Sequence, residues 1–231
     1  MLMQNLYLFI TIVNKDDADE FSAFYVRENV APIYSTLCDG AANSETLSIL
    51  GFEKSEKMLM QSIVTEGQVK KLKLDLTYEM DIDLPNRGIA VAIPLSSIAS
   101  KALCEKIQSH EPKTQGEDEI KFNDERKLNM ELIVSICPKG NSADVMKAAR
   151  TAGATGGTIV KAKGTAREGF DTFFGMSISD EKEIIYIVAK KEKRNSIMQA
   201  IASHNCGDEN HHPLAFSLPV SDVAGLRLMK D

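Results

Sequence analysis

Tryptophan is absent from the 231 residues, and aromatic side chains make up only 6% of them. Stacking platforms for single-stranded nucleic acid are therefore thinly supplied, and a net charge of −6 gives no overall attraction toward nucleic acid or an anionic membrane. The four cysteines, Cys38, Cys104, Cys137 and Cys206, include no Cys-x-x-Cys pair. That spacing argues against a zinc ribbon or dithiol redox motif and for free thiols in a reducing cytoplasm. No apolar run approaches the roughly 20 residues that a membrane helix needs, and Met1 to Val13 lacks the basic region and cleavage pattern of a signal peptide. The expectation is a soluble, cytoplasmic protein. A Gly-x-Ser-x-Gly elbow, a His-Glu-x-x-His helix and the zinc deaminase pattern are missing as well, so the chain reads as a non-enzyme.

What is present is an echo at a shift of 125 residues. It lays Ser55-Glu56-Lys57 on Asp180-Glu181-Lys182, and Ile89 to Leu95 on Leu214 to Val220, with Pro94 falling on Pro219. A unit of that length is too long for a solenoid repeat and fits a duplicated small domain.

In the first half, Leu6 to Val13 reads as a strand, Ala18, Phe21 and Tyr25 recur at helical spacing, and Ile33 to Cys38 and Met58 to Thr65 read as strands. Val69, Leu72 and Leu76 mark a second helix and Ile89 to Ile93 a closing strand. The second half repeats the order. Met130 to Cys137 is a strand, a helix capped by Asn141 or Ser142 ends before Gly153, and Thr158 to Lys163 and Glu183 to Lys190 are strands. A helix through Ile197, Ala200, Ile201 and His204 and a strand from Leu214 to Val220 complete it. Each half is β-α-β-β-α-β, so the predicted fold is α+β with two tandem ferredoxin-like domains. The first covers residues 1–104, a charged linker covers 105–127, and the second domain covers 128–231. Helices cover one face of such a sheet, and the other face, left open, points to self-association.

Three features bear on chemistry. Gly153, Gly156 and Gly157 lie between a helix and a strand, where backbone N–H groups can approach an anion, although a helix C-cap with a tight turn is the commoner account of such a stretch. Lys161, Lys163 and Arg167 follow; they can bind a polyphosphate, or serve as lysines that blunt a sheet edge. His204, Cys206, His211 and His212 gather three of the four histidines within nine residues, a set able to ligate zinc or copper. Its spacing matches no standard structural zinc site.

The stretch Val145 to Arg167, above all Gly156-Gly157-Thr158 through Lys163-Gly164 and Arg167, resembles the P-II nitrogen-regulatory signalling family at its first helix, second strand and T-loop base. Gly207-Asp208 through Phe216, Pro219 and Val220 is similar to the family's B-loop and last strand. The resemblance implies a non-catalytic, trimeric regulator that binds an adenine nucleotide in a cleft and controls a partner protein, a membrane transporter or an enzyme. It implies that Gly157, Lys163, Gly164, Thr165 and Arg167 face that effector, with Gly207 and Asp208 opposite and Arg227 from the C-terminal segment.

Departures accompany the resemblance. Glu209-Asn210 stands where the family has Gly-Lys, Glu168 stands where its regulators have glutamine, and no tyrosine is found in the loop from Glu168 to Phe174. In the first half, Cys38-Asp39-Gly40 occupies the positions of Lys163-Gly164-Thr165, so an anion site is expected to be lost there for want of a cation. Two alternatives stay open: a metal-responsive protein akin to the CutA group, using His204, Cys206, His211 and His212, and a purely structural assembly module.

Overall fold

The computed structural model describes residues 6–30, 32–41, 56–96, 107, 109, 129–163, 172–173, 176–177, 181–204, 206 and 212–225. The first half runs β1 (Leu6–Asn14), a short 3-10 turn (Lys15–Asp17), α1 (Ala18–Arg27), β2 (Tyr34–Gly40), β3 (Glu56–Thr65), α2 (Glu66–Tyr78) and β4 (Gly88–Pro94). The second runs β5 (Met130–Pro138), α3 (Ser142–Thr151), β6 (Thr158–Lys163), a small hairpin of β7 (Thr172–Phe173) and β8 (Met176–Ser177), β9 (Glu181–Lys190), α4 (Lys191–Ala202), β10 (Leu214–Val220) and β11 (Asp222–Ala224). The β-α-β-β-α-β order expected of each half is therefore present. Corresponding elements begin 124 to 126 residues apart, as from Leu6 to Met130, Glu56 to Glu181 and Gly88 to Leu214. Neither β11 nor the small hairpin is anticipated by the periodicity, because three- and two-residue strands carry too few side chains to show a pattern.

Two compact units form, and their members are not simply the two halves. One consists of residues 1–35, 58–129 and 220–231, the other of 36–57 and 130–219. The linker expectation for 105–127 falls almost wholly outside the described residues. Relative to a division at that linker, each half gives up a segment: Thr36–Lys57 goes to the second unit and Val220–Asp231 to the first.

In the first unit the strand order is β3-β1-β4-β11. The β1 and β4 strands are antiparallel from Tyr7↔Pro94 to Val13↔Gly88, and β11 adds to β4 through Val223↔Val91. Alternate residues Phe9 and Val13 of β1, Met60 and Val64 of β3 and Ala90 and Ala92 of β4 meet Phe21, Leu72 and Leu76 of the helices. Buried Thr11 and Tyr25 share a 2.6 Å hydrogen bond in that core, where burial raises the Tyr25 phenol pKa.

The second unit has the order β10-β5-β9-β6, its fourth, first, third and second strands, which is the ferredoxin-like order. Ile133 and Cys137 of β5 and Ile185 and Ile187 of β9 face Val145, Met146, Ala149, Ile197 and Ile201 of the helices. These helical positions recur at three and four residues, the stripe that a sheet-covering helix requires.

The face turned away from the helices is not open at its central strands. Leu132 and Val134 are 2% and 5% exposed, and Ile10, Leu59, Val91 and Ile93 are 5% or less. These side chains are removed from water within a single chain.

Candidate functional site

The α3 helix ends as the sequence implies. Gly153 has φ +106, a left-handed conformation costly for other residues, and its N–H donates to the Arg150 carbonyl at 2.9 Å. Ala152 to Gly157 then leads into β6, and the two glycines there differ. A Cβ on Gly156 would meet nothing within 4 Å, whereas one on Gly157 would lie 2.8 Å from Met146 Sδ and 3.2 Å from the Tyr186 carbonyl oxygen. The carbonyl of Gly157 accepts the Ala41 N–H at 2.8 Å. Gly157 is thus a packing residue on its core side and a strand-joining residue at its carbonyl.

Lys161 and Lys163 are exposed on β6 and share one face with Ile159. They stand opposite Glu183 and Glu181 of β9. Both acids have structural work. Glu181 pairs with Lys139 at 2.6 Å, and that hydrogen bond holds its carboxyl below the usual carboxylate range. Glu183 Oε2 accepts the backbone N–H groups of Gly140 and Ser142, each at 3.1 Å, at the start of α3. The expected cap by Asn141 or Ser142 is corrected here. Asn141 makes no side-chain cap and donates to the Pro138 carbonyl at 3.2 Å, and a carboxylate from β9 takes the first helix donor, the Ser142 N–H, in its place.

The edge of β6 is not bare. The end of β2 pairs with it antiparallel, Asp39↔Ile159 and Gly40↔Thr158. Asp39 Oδ2 lies 3.4 Å from Lys161 Nζ, and Arg150 donates to the Ala41 carbonyl. The expectation that no cation is near Asp39 is therefore corrected: the cation comes from the second half. Among the described residues Lys163 has no ion pair.

Of the predicted effector residues, Gly157 and Lys163 are described, the first just before β6 and the second at its end. Gly164, Thr165, Arg167, Gly207, Asp208 and Arg227 lie outside the described residues. Gly225, two positions before Arg227, is held in the first unit, its N–H donating to Asp83 Oδ1 at 2.7 Å.

The metal reading gains little. His212 Nδ1 is 3.3 Å from the backbone carbonyl of His204, not from its ring, and His211 lies outside the described residues. Burial raises the pKa of the Cys206 thiol, with Asp144 adding to the effect, which disfavours the thiolate that a metal takes. Cys137, in the same core, is pushed up to about 12 by burial and by the neighbouring Cys206 and Glu183. No group of three or more His, Cys, Asp and Glu able to hold a metal occurs among the described residues. No helix among them is long and apolar enough to cross a membrane.

Residues 130–230 match the family model of nitrogen regulatory protein P-II. Over those residues, somewhat less than half of the chain, the protein is similar to the P-II family, and the match begins at the first strand of the second half. A solved structure described as a PII-like signaling protein from Thermus thermophilus is similar at 13% identity and a TM-score of 0.30, covering 42% of this chain and 88% of that one. A search of the curated proteins finds no match.

Proposed function

We propose that the chain is a non-catalytic P-II-type regulator that binds a small anionic effector, an adenine nucleotide, through its second half and controls a partner protein from the cytoplasm. The match of residues 130–230 to the P-II family carries this reading. Lys163 supports it: an exposed cation without an ion pair among the described residues, it ends β6 where the chain enters the effector-loop positions. Gly164, Thr165 and Arg167 follow it, Gly207 and Asp208 would close the other side, and Arg227 would come from the C-terminal segment. Effector binding would order or release the loop from Lys163 to Gly175 against the partner, a transporter or an enzyme, since ordering a short loop is an economical switch. The similar element order at a spacing of 124 to 126 residues supports an origin by tandem duplication. A trimeric assembly rests on the family resemblance alone.

Calorimetric titration with ATP and ADP tests the reading. One site per chain is expected, and Arg167→Ala should weaken binding by about 1.5–3 kcal/mol, tenfold or more, while leaving the melting temperature unchanged. If Arg167→Ala binds as tightly as the parent, or neither nucleotide binds the parent, the nucleotide reading is wrong.

A further inference from the structure

Asp39 is the residue that most clearly separates the first half from the second, and it is placed against the second half's cations. Directly opposed strand residues share a face. Asp39 opposes Ile159, so its side chain lies on the face that also bears Lys161 and Lys163, and the 3.4 Å contact with Lys161 is the diagonal one that this register creates. The backbone around Asp39 is tied down. Gly40 pairs with Thr158, the Ala41 N–H reaches the Gly157 carbonyl, and Arg150 holds the Ala41 carbonyl. Lys161, by contrast, has a side chain 75% exposed, against 22% for Asp39. An anion from solvent can reach the lysine but must do so beside a carboxylate whose backbone is held in place.

We infer that Asp39 is a specificity-determining residue of the anion site: a resident counter-charge supplied by the first half that compensates Lys161 and lowers the affinity of the site for free polyphosphates. The inference rests on the effector reading given above. In the repeat, Asp39 corresponds to Gly164, so the substitution that removes an anion site from the first half also regulates the one in the second. Lys161 then contributes nothing to an incoming phosphate while Asp39 is charged, and Lys163 carries the attraction.

Sodium tripolyphosphate and ATP, titrated by calorimetry into the full chain and its variants at fixed ionic strength, test this. Asp39→Asn should tighten tripolyphosphate binding roughly five-fold, the scale of one partly exposed ion pair. Lys161→Ala in the parent should leave affinity within about two-fold, yet remove the whole gain when combined with Asp39→Asn, a non-additivity that a double-mutant cycle reads directly. If Asp39→Asn lowers the melting temperature with unchanged affinity, the carboxylate merely joins two strands and the inference is overturned. If Lys163→Ala weakens binding in both backgrounds while Asp39→Asn has no effect, the effector reading stands and this inference falls. Absence of binding by every variant, Asp39→Asn included, sinks both.

Discussion

The two halves build the same order of elements but commit their polar side chains differently at three equivalent places. Before the second strand, the first half has Pro32, whose carbonyl accepts the Ser62 hydroxyl at 2.8 Å; the second has Gly157, whose carbonyl accepts the Ala41 N–H at the same distance. At the first helix, Arg87 in one half clamps Asp17 at 2.9 Å and Glu20 at 2.8 Å, while Glu183 in the other accepts the first helix donor, the Ser142 N–H, directly. At the second helix, Thr65 and Gln68 form a reciprocal capping box, and Lys190 makes no side-chain cap. At the first helix both halves use side chains of their own, Arg87 reaching 70 residues back to Asp17 and Glu183 41 residues back to Ser142, whereas at the second helix the first half alone has a side-chain cap. The second half leaves Lys163 without an ion pair among the described residues and accepts a strand segment from the first, a division that the effector role proposed for the second half would require.

The sharpest test of that division is the glycine pair before β6. If Gly157 serves packing, Gly157→Ala should cost about 2 kcal/mol, because the added methyl crowds Met146, which is 1% exposed, and a strand carbonyl that cannot move freely. Gly156→Ala, with open space and no left-handed backbone, should change stability by less than about half a kcal/mol. Thermal melts of both variants check this. Equal losses would mean that the two glycines share a role and that the contrast with Pro32 is accidental.

How far the sequence reaches can be seen at the same places. Strands β6 and β10 fall where alternation puts them, Thr158–Lys163 and Leu214–Val220, and the other long elements are displaced by at most a few residues, because long amphipathic segments report their burial through period alone. Partners across the chain were not legible. Nothing in Asp39 or Ala41 announces pairing with β6, since register depends on which edge is presented in space and not on local pattern. Nothing local to Glu183 announces its capping role for the same reason: its helix lies 41 residues back along the chain from the carboxylate. Of the candidate site, the family resemblance and the cations were legible in the sequence, and the acid beside one of them was not.

The helix-capping contrast predicts a smaller effect. Glu183→Ala removes the acceptor for two backbone N–H groups at the start of α3 and should cost about 1.5 kcal/mol. Met58 occupies the equivalent position in the first half, and Met58→Ala would instead be read as a packing change on the first core, against which Met58 packs. Denaturant titration should show the Glu183→Ala midpoint falling, with partial recovery in Glu183→Gln, whose amide oxygen still accepts. Full retention of stability in Glu183→Ala would show that Asn141 or solvent caps α3 unaided, and the two halves would then differ less than the contacts imply.

The smallest expected effect concerns the second helices. In the first half the Gln68 N–H donates to Thr65 Oγ1 at 3.2 Å, and the Thr65 N–H donates to Gln68 Oε1 at 3.0 Å, in a buried setting. Thr65→Ala should therefore cost about 1 kcal/mol. Lys190 holds the matching position with φ −63 and ψ 139, an extended conformation that threonine adopts without strain. Lys190→Thr should then supply the missing acceptor and stabilise the second unit by about 0.5–1 kcal/mol. The partner position is best left alone, because the Lys193 stem would sit 3.4 Å from a Cβ on Gly153 and packs at the end of α3. A gain in melting temperature for Lys190→Thr together with a loss for Thr65→Ala would confirm that the halves differ at this cap by side-chain chemistry alone. No gain would mean that the start of α4 is already satisfied, and the asymmetry would then be confined to the strand edge where Asp39 meets Lys161.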